Sequence, residues 1–156
     1  MTAEELSTLF KEAGRTLASV ESFTGGRFAS SITAIPGASK FFVGGMVTYA
    51  TYEKINLLQI AEERVNQFGV VSQEIGGDMA LHGRIVLNSD YCISFTGNAG
   101  PTPMENKPVG LIFIGVTAYN MTQVYKYELK GSREEVIEQA LELGYDHLAR
   151  MLHDFK

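Results

Sequence analysis

The sequence predicts an α/β fold: a three-layer α/β/α sandwich around a mixed, mostly parallel sheet, with residues 1–156 as a single domain. Three observations predict it. Short β-prone runs alternate with segments whose apolar residues recur at helical spacing, the pattern of a sheet covered by helices on both faces. Two of those runs, Thr16 to Val20 and Tyr91 to Phe95, each empty into a turn carrying a Thr-Gly pair. Late in the chain a nearly unbroken apolar run precedes an alternating one, which reads as a hairpin and makes the sheet mixed.

Taken in order, Thr2 and Glu5 have the spacing of a capping box, and Leu6, Leu9, Phe10 and Ala13 give the first helix its apolar face before Gly14 stops it. Thr16 to Val20 is the first strand. Gly26 to about Ala34 is a helix that ends before Pro36-Gly37. Phe41-Phe42-Val43, the Gly44-Gly45 pair and Met46 to Tyr49 form a β-prone stretch in which the glycines mark a bulge or a close backbone approach. Tyr52 to Leu58 and Ala61 to Gln67 read as two short helices, the second closed by Gly69. Ser72 caps a longer helix to about Asn88, with Glu74 in its first turn. Tyr91 to Phe95 is a strand, Thr96 to Lys107 a loop, and Val109 to Thr117 a strand buried on both faces. Asn120-Met121-Thr122 turns the chain into the alternating strand Gln123 to Leu129, and Ser132 with Glu135 boxes the start of the last helix.

Composition narrows the function. A formal net charge of −5 argues against nucleic acid or an anionic membrane as a partner, while local basic groups still suit a small anion. The single cysteine, Cys92, permits no internal disulfide and fits a reducing, cytoplasmic setting. The N-terminus lacks the basic flank and apolar core of a secretory signal, and the apolar run at Leu111 to Ala118 is too short to span a bilayer. His82, His147 and His153 have no metal-ligand spacing, and neither a phosphate-binding P-loop nor a dinucleotide fingerprint is present.

The chemistry-bearing stretch is Ser19 to Gly26. If the two Thr-Gly loops follow parallel strands, both emerge at the carboxyl edge of the sheet, where open α/β folds bind ligands. Ser22 then sits beside a helix N-terminus that favours negative charge. The same residues also serve as a plain turn with a helix cap. Lys54 follows a strand and could lie at that edge. A Ser–Lys pair is an alternative to Ser–His–Asp, provided burial or positive neighbours bring the amine from about 10.4 to about 7–8. A solvated surface lysine is the competing reading.

The run Glu21-Ser22-Phe23-Thr24-Gly25-Gly26 resembles the E-S-C-T-G-G signature of the CinA C-terminal domain family. Pro36-Gly37-Ala38-Ser39, Gly44-Gly45, Lys54, Gly69-Val70-Val71-Ser72, Thr96-Gly97-Asn98-Ala99-Gly100-Pro101, Lys107-Pro108-Val109-Gly110 and Gly131-Ser132-Arg133 match it in order. The resemblance implies an α/β/α sandwich and nicotinamide mononucleotide deamidase activity without metal or cofactor. By the same resemblance Ser22 is the nucleophile, Lys54 the general base and Tyr49 its helper, with backbone N–H groups near Phe23 and Thr24 holding the oxyanion. Thr24, Gly25, Gly26, Thr96, Gly97, Gly100, Lys107 and Arg133 line the substrate pocket. Larger members carry a further N-terminal domain, which this sequence lacks, so the pyrophosphatase activity linked to it is not expected. A binding domain without turnover is the alternative, because four features depart from the family. Phe23 replaces a cysteine, Asn98 an apolar residue and Ile137 a frequent arginine, and the loop 102–106 lacks extra glycines. Phe41, Phe42 and Met46 leave a homo-oligomer interface open.

Overall fold

A computed structural model describes residues 1–155. Helix starts fall where side chains can satisfy the first free N–H groups. Helix α1 (Ala3–Ala13) opens on the reciprocal Thr2–Glu5 box, and Gly14 closes it at a left-handed φ of 62°. Helix α5 (Gln73–Leu87) is capped by the Ser72 hydroxyl, and α6 (Arg133–Asp154) by the Ser132–Glu135 box. Between them lie the shorter α2 (Arg27–Thr33), α3 (Thr51–Asn56) and α4 (Glu62–Phe68).

The strands are β1 (Leu17–Glu21), β2 (Phe42–Val47), β3 (Tyr91–Gly97), β4 (Leu111–Ala118) and β5 (Met121–Glu128), in the sheet order β2-β1-β3-β4-β5. β2, β1 and β3 pair in parallel, and β4 runs against both β3 and β5. Four strands therefore point one way, and the mixed character comes from the β4–β5 hairpin expected from its alternation. The two-residue turn is Tyr119-Asn120, one step earlier than the sequence suggests. Strand β4 also begins at Leu111 rather than Val109, because Pro108 to Gly110 form the turn that leads into it.

Side chains alternate across the sheet into two cores, as the strand period requires. Leu17, Tyr91, Ile93, Phe95, Ile112 and Ile114 face the layer of α1, α2 and α6, while Ala18, Val20, Cys92, Leu111 and Phe113 face α5 and the short helices. Phe41, read earlier as an interface candidate, is core at 1% exposure, and Phe42 and Met46 pack against the two cores. Ile137 is likewise core. Among the described residues, no helix is long and apolar enough to cross a membrane.

The β5–α6 layer carries a pH-sensitive group. His147 is stacked on Tyr125 and bonded through Nε2 to the Tyr127 hydroxyl. Burial, aided by Arg150, pushes it from the ordinary 6.5 down to about 4. A depressed folded-state pKa means that the unfolded chain binds the extra proton first. Its stability contribution is therefore complete above about 6.5 and is lost as pH falls toward 4. Over that window equilibrium denaturation is expected to show wild type losing about 2–3 kcal/mol more than His147→Phe, the carboxylates common to both cancelling in the difference.

Candidate active site

The ends of three parallel strands set the site. The Ser22 N–H continues the β1–β3 ladder to Phe95 O at 2.9 Å, and the Thr48 N–H continues the β1–β2 ladder to Glu21 O at 2.8 Å. Ser22 and Thr48 are thus the first residues past the carboxyl ends of neighbouring strands. Helix α3 starts shortly afterwards and sends the Lys54 side chain back beneath them.

Lys54 Nζ donates to Thr48 O at 2.6 Å and to Ser22 Oγ at 3.1 Å. The side chain is 1% exposed. Burial pulls its pKa from the usual 10.5 down to about 8, against a smaller opposing pull from Glu105. An amine so placed is part neutral near physiological pH and within reach of a hydroxyl proton. That is the geometry a general base requires.

After Ser22 the chain turns through Gly25 and Gly26, whose φ values of 59° and 95° lie in the left-handed region. The Gly25 N–H closes this turn on Ser22 O at 3.1 Å. No acceptor within the described residues engages the N–H groups of Phe23 and Thr24, the two residues that follow Ser22 in the turn. The Phe23 ring is buried in the α2-side core and one edge lines the crevice.

The N-terminus of α2, expected to favour a ligand's negative charge, is already occupied. Glu21, 1% exposed, accepts from Phe28 N–H at 2.9 Å and from Ala29 N–H at 3.0 Å. The carboxylate that ends β1 thus fixes the helix following the Ser22 turn. Glu21→Ala orphans both N–H groups. It is expected to lower unfolding free energy by about 2 kcal/mol, measurable as a lower urea midpoint.

A crevice of about 70 Å3 opens above Ser22, lined by Phe23, Tyr49, Gly97, Asn98, Ala99, Met104 and Arg133. Tyr49 stands at its mouth, 61% exposed. Its hydroxyl accepts from Arg133 Nη2 at 3.2 Å and has no bond to Lys54.

Several residues expected in the pocket lie elsewhere. Thr96 is inside β3, and its buried hydroxyl donates to Val70 O at 2.6 Å. Thr24 is fully buried, and its side chain offers a ligand no surface. Lys107 turns its amine to Val71 O at 2.5 Å, with Glu105 at 3.3 Å, away from the crevice. Gly100 is buried behind the wall, where its carbonyl accepts from Arg133 Nη1 at 2.8 Å. Three residues that the sequence did not single out complete the arrangement. Thr48 supplies a carbonyl and Met104 a wall, and Glu105 ties the 102–106 loop to the Val70 and Val71 N–H groups at 3.0 Å. No group of three or more His, Cys, Asp or Glu suited to a metal occurs among the described residues.

A serine hydroxyl against a buried lysine amine stands at the carboxyl edge of the sheet in an α/β/α sandwich, where open α/β folds place their ligand sites. Comparison with known proteins makes the assignment narrower. The profile of the CinA C-terminal domain matches residues 1–152, and the chain belongs to that family.

A CinA-like protein of Sulfurihydrogenibium sp. (strain YO3AOP1) is 42% identical over 134 residues, covering 85% of this chain and 34% of that protein. A putative competence-damage inducible protein of Bacillus subtilis (strain 168) is 38% identical over 149 residues, 96% of this chain and 36% of that one. The chain therefore spans about a third of the length of these relatives. Among solved structures, a CinA superfamily protein from Klebsiella pneumoniae 700603 superposes with a TM-score of 0.94 at 24% identity, covering 99% of both chains, and supports the fold. The competence/damage inducible protein CihA from Agrobacterium tumefaciens gives 0.91 at 28% identity, covering 97% of this chain and 93% of that one.

Proposed function

We propose that this protein is an amidohydrolase that converts nicotinamide mononucleotide to nicotinate mononucleotide and ammonia. The observation that carries the proposal is the 3.1 Å approach of a buried Lys54 amine, its pKa near 8, to the Ser22 hydroxyl. Neutral Lys54 takes the Ser22 proton as Oγ attacks the carboxamide carbon. The developing oxyanion is received by the Phe23 and Thr24 N–H groups, each good donor being worth roughly 3–4 kcal/mol. Lys54 returns the proton to the departing ammonia, and water then releases the acid from Ser22. The crevice is smaller than the roughly 300–1,000 Å3 of pockets that enclose whole ligands. It receives the carboxamide end, while ribose and phosphate lie outside it against Arg133 and Tyr49.

The bulky Phe23 ring beside Ser22 favours a second reading, a pyridine-nucleotide-binding domain without turnover. Ammonia release over a panel of pyridine nucleotides and simple amides, run beside Ser22→Ala, separates the two. The hydrolase gives Ser22-dependent ammonia, and the binding domain gives ligand-induced thermal stabilisation with none.

A further inference from the structure

The hydrogen bonds on the far wall of the crevice form a relay from the sheet to the mouth. Asn98 follows β3 directly and is 4% exposed. Its backbone is locked to β4 and the turn before it, N–H to Leu111 O at 3.0 Å and carbonyl from Gly110 N–H at 2.7 Å. From that fixed point its Oδ1 accepts from Gly100 N–H at 2.9 Å and its Nδ2 donates to Thr102 O at 2.8 Å. Gly100, held on its N–H side, presents its carbonyl to Arg133 Nη1, and Arg133 Nη2 reaches Tyr49.

We propose that Asn98 is a positioning residue for Arg133. It folds the 98–102 loop so that Gly100 O aims the guanidinium across the mouth, ready for the phosphate of a pyridine mononucleotide. A free arginine side chain gives up rotamer freedom when it binds a ligand, and an anchor on the protein removes part of that cost before the ligand arrives. Of the two anchors, Gly100 O is buried and fixed, while Tyr49 is mostly exposed. An apolar side chain at 98 can make neither loop bond, so the relay is peculiar to an amide or acid at this position. The role of Arg133 toward phosphate rests on the function proposed above. The mechanical claim, that Asn98 orders Arg133, does not.

The test compares wild type, Asn98→Leu and Asn98→Asp, the last keeping an acceptor for the Gly100 N–H. Side-chain 15N relaxation of Arg133, recorded without ligand, is expected to show an ordered guanidinium in wild type and Asn98→Asp and a mobile one in Asn98→Leu. With nicotinamide mononucleotide, Asn98→Leu raises KM about tenfold and leaves kcat within about threefold, because Ser22 and Lys54 are untouched. With nicotinamide riboside, which lacks the phosphate, the rise in KM is several-fold smaller, since only the contact of residue 98 with the carboxamide crevice is then altered. A guanidinium as ordered in Asn98→Leu as in wild type overturns the proposal, as does an equal rise in KM for both substrates. If wild type releases no ammonia from either compound the deamidase reading falls, and the relaxation data still decide the role of Asn98.

Discussion

Ser22→Ala is expected to reduce ammonia release from nicotinamide mononucleotide by roughly 10^4-fold or more, with the melting temperature nearly unchanged. The size of the effect follows from the chemistry. Without Oγ no acyl intermediate forms, and the crevice offers only positioning and two backbone donors to a direct attack by water. Stability is spared because Ser22 is only partly buried and its backbone N–H still completes the β1–β3 ladder. Lys54 also keeps its shorter bond to Thr48 O. Circular dichroism and a melting curve establish the fold of the variant. Activity within about tenfold of wild type in a folded Ser22→Ala protein removes the nucleophile from the account.

Lys54→Met is expected to lose activity by roughly 10^2–10^4-fold and to gain stability at neutral pH. Both effects come from one cause. A pKa near 8 means the lysine is about one-tenth neutral at pH 7 and about nine-tenths neutral at pH 9. Wild-type kcat/KM should therefore rise about tenfold between pH 7 and 9. For stability the sign runs through the unfolded state, whose lysine holds its proton up to 10.5. Below about 8 the folded protein carries a buried charge at a cost of about 3 kcal/mol, and the cost fades as pH climbs from 8 to 10.5. Methionine fills similar space without charge but leaves Thr48 O unpaired, which returns about 1 kcal/mol. The net gain is roughly 2 kcal/mol at pH 7, disappearing above about pH 10. The difference between the two proteins is the quantity to measure, since groups common to both, such as Tyr91 with its pKa pushed up to about 12, then cancel.

Local signals in the sequence located the elements well, because capping and alternation act over a few residues. Thr2, Ser72 and Ser132 each cap the helix their spacing predicts, and the alternation after Met121 is the β5 edge. What the sequence hid was the destination of side chains that act at long range. Thr96-Gly97 reads as a turn, yet it continues β3. A Cβ at Gly97 would stand 2.6 Å from the Ile112 backbone, so that glycine serves close strand approach rather than a bend. Lys107 looks like a phosphate ligand, but carbonyls brought together by the 68–71 turn take its amine. Glu21 reads as one letter of a signature beside an anion site, and its own carboxylate fills that site. The Lys54–Ser22 meeting depends on β1 and β2 lying side by side, which no pattern along the chain displays.

The most direct measurement is ammonia released from nicotinamide mononucleotide by wild type, Ser22→Ala and Lys54→Met across pH 6 to 10. Release by wild type alone, rising through a midpoint near pH 8, is the predicted result. Equal release by all three proteins, or none from wild type at any pH, contradicts it.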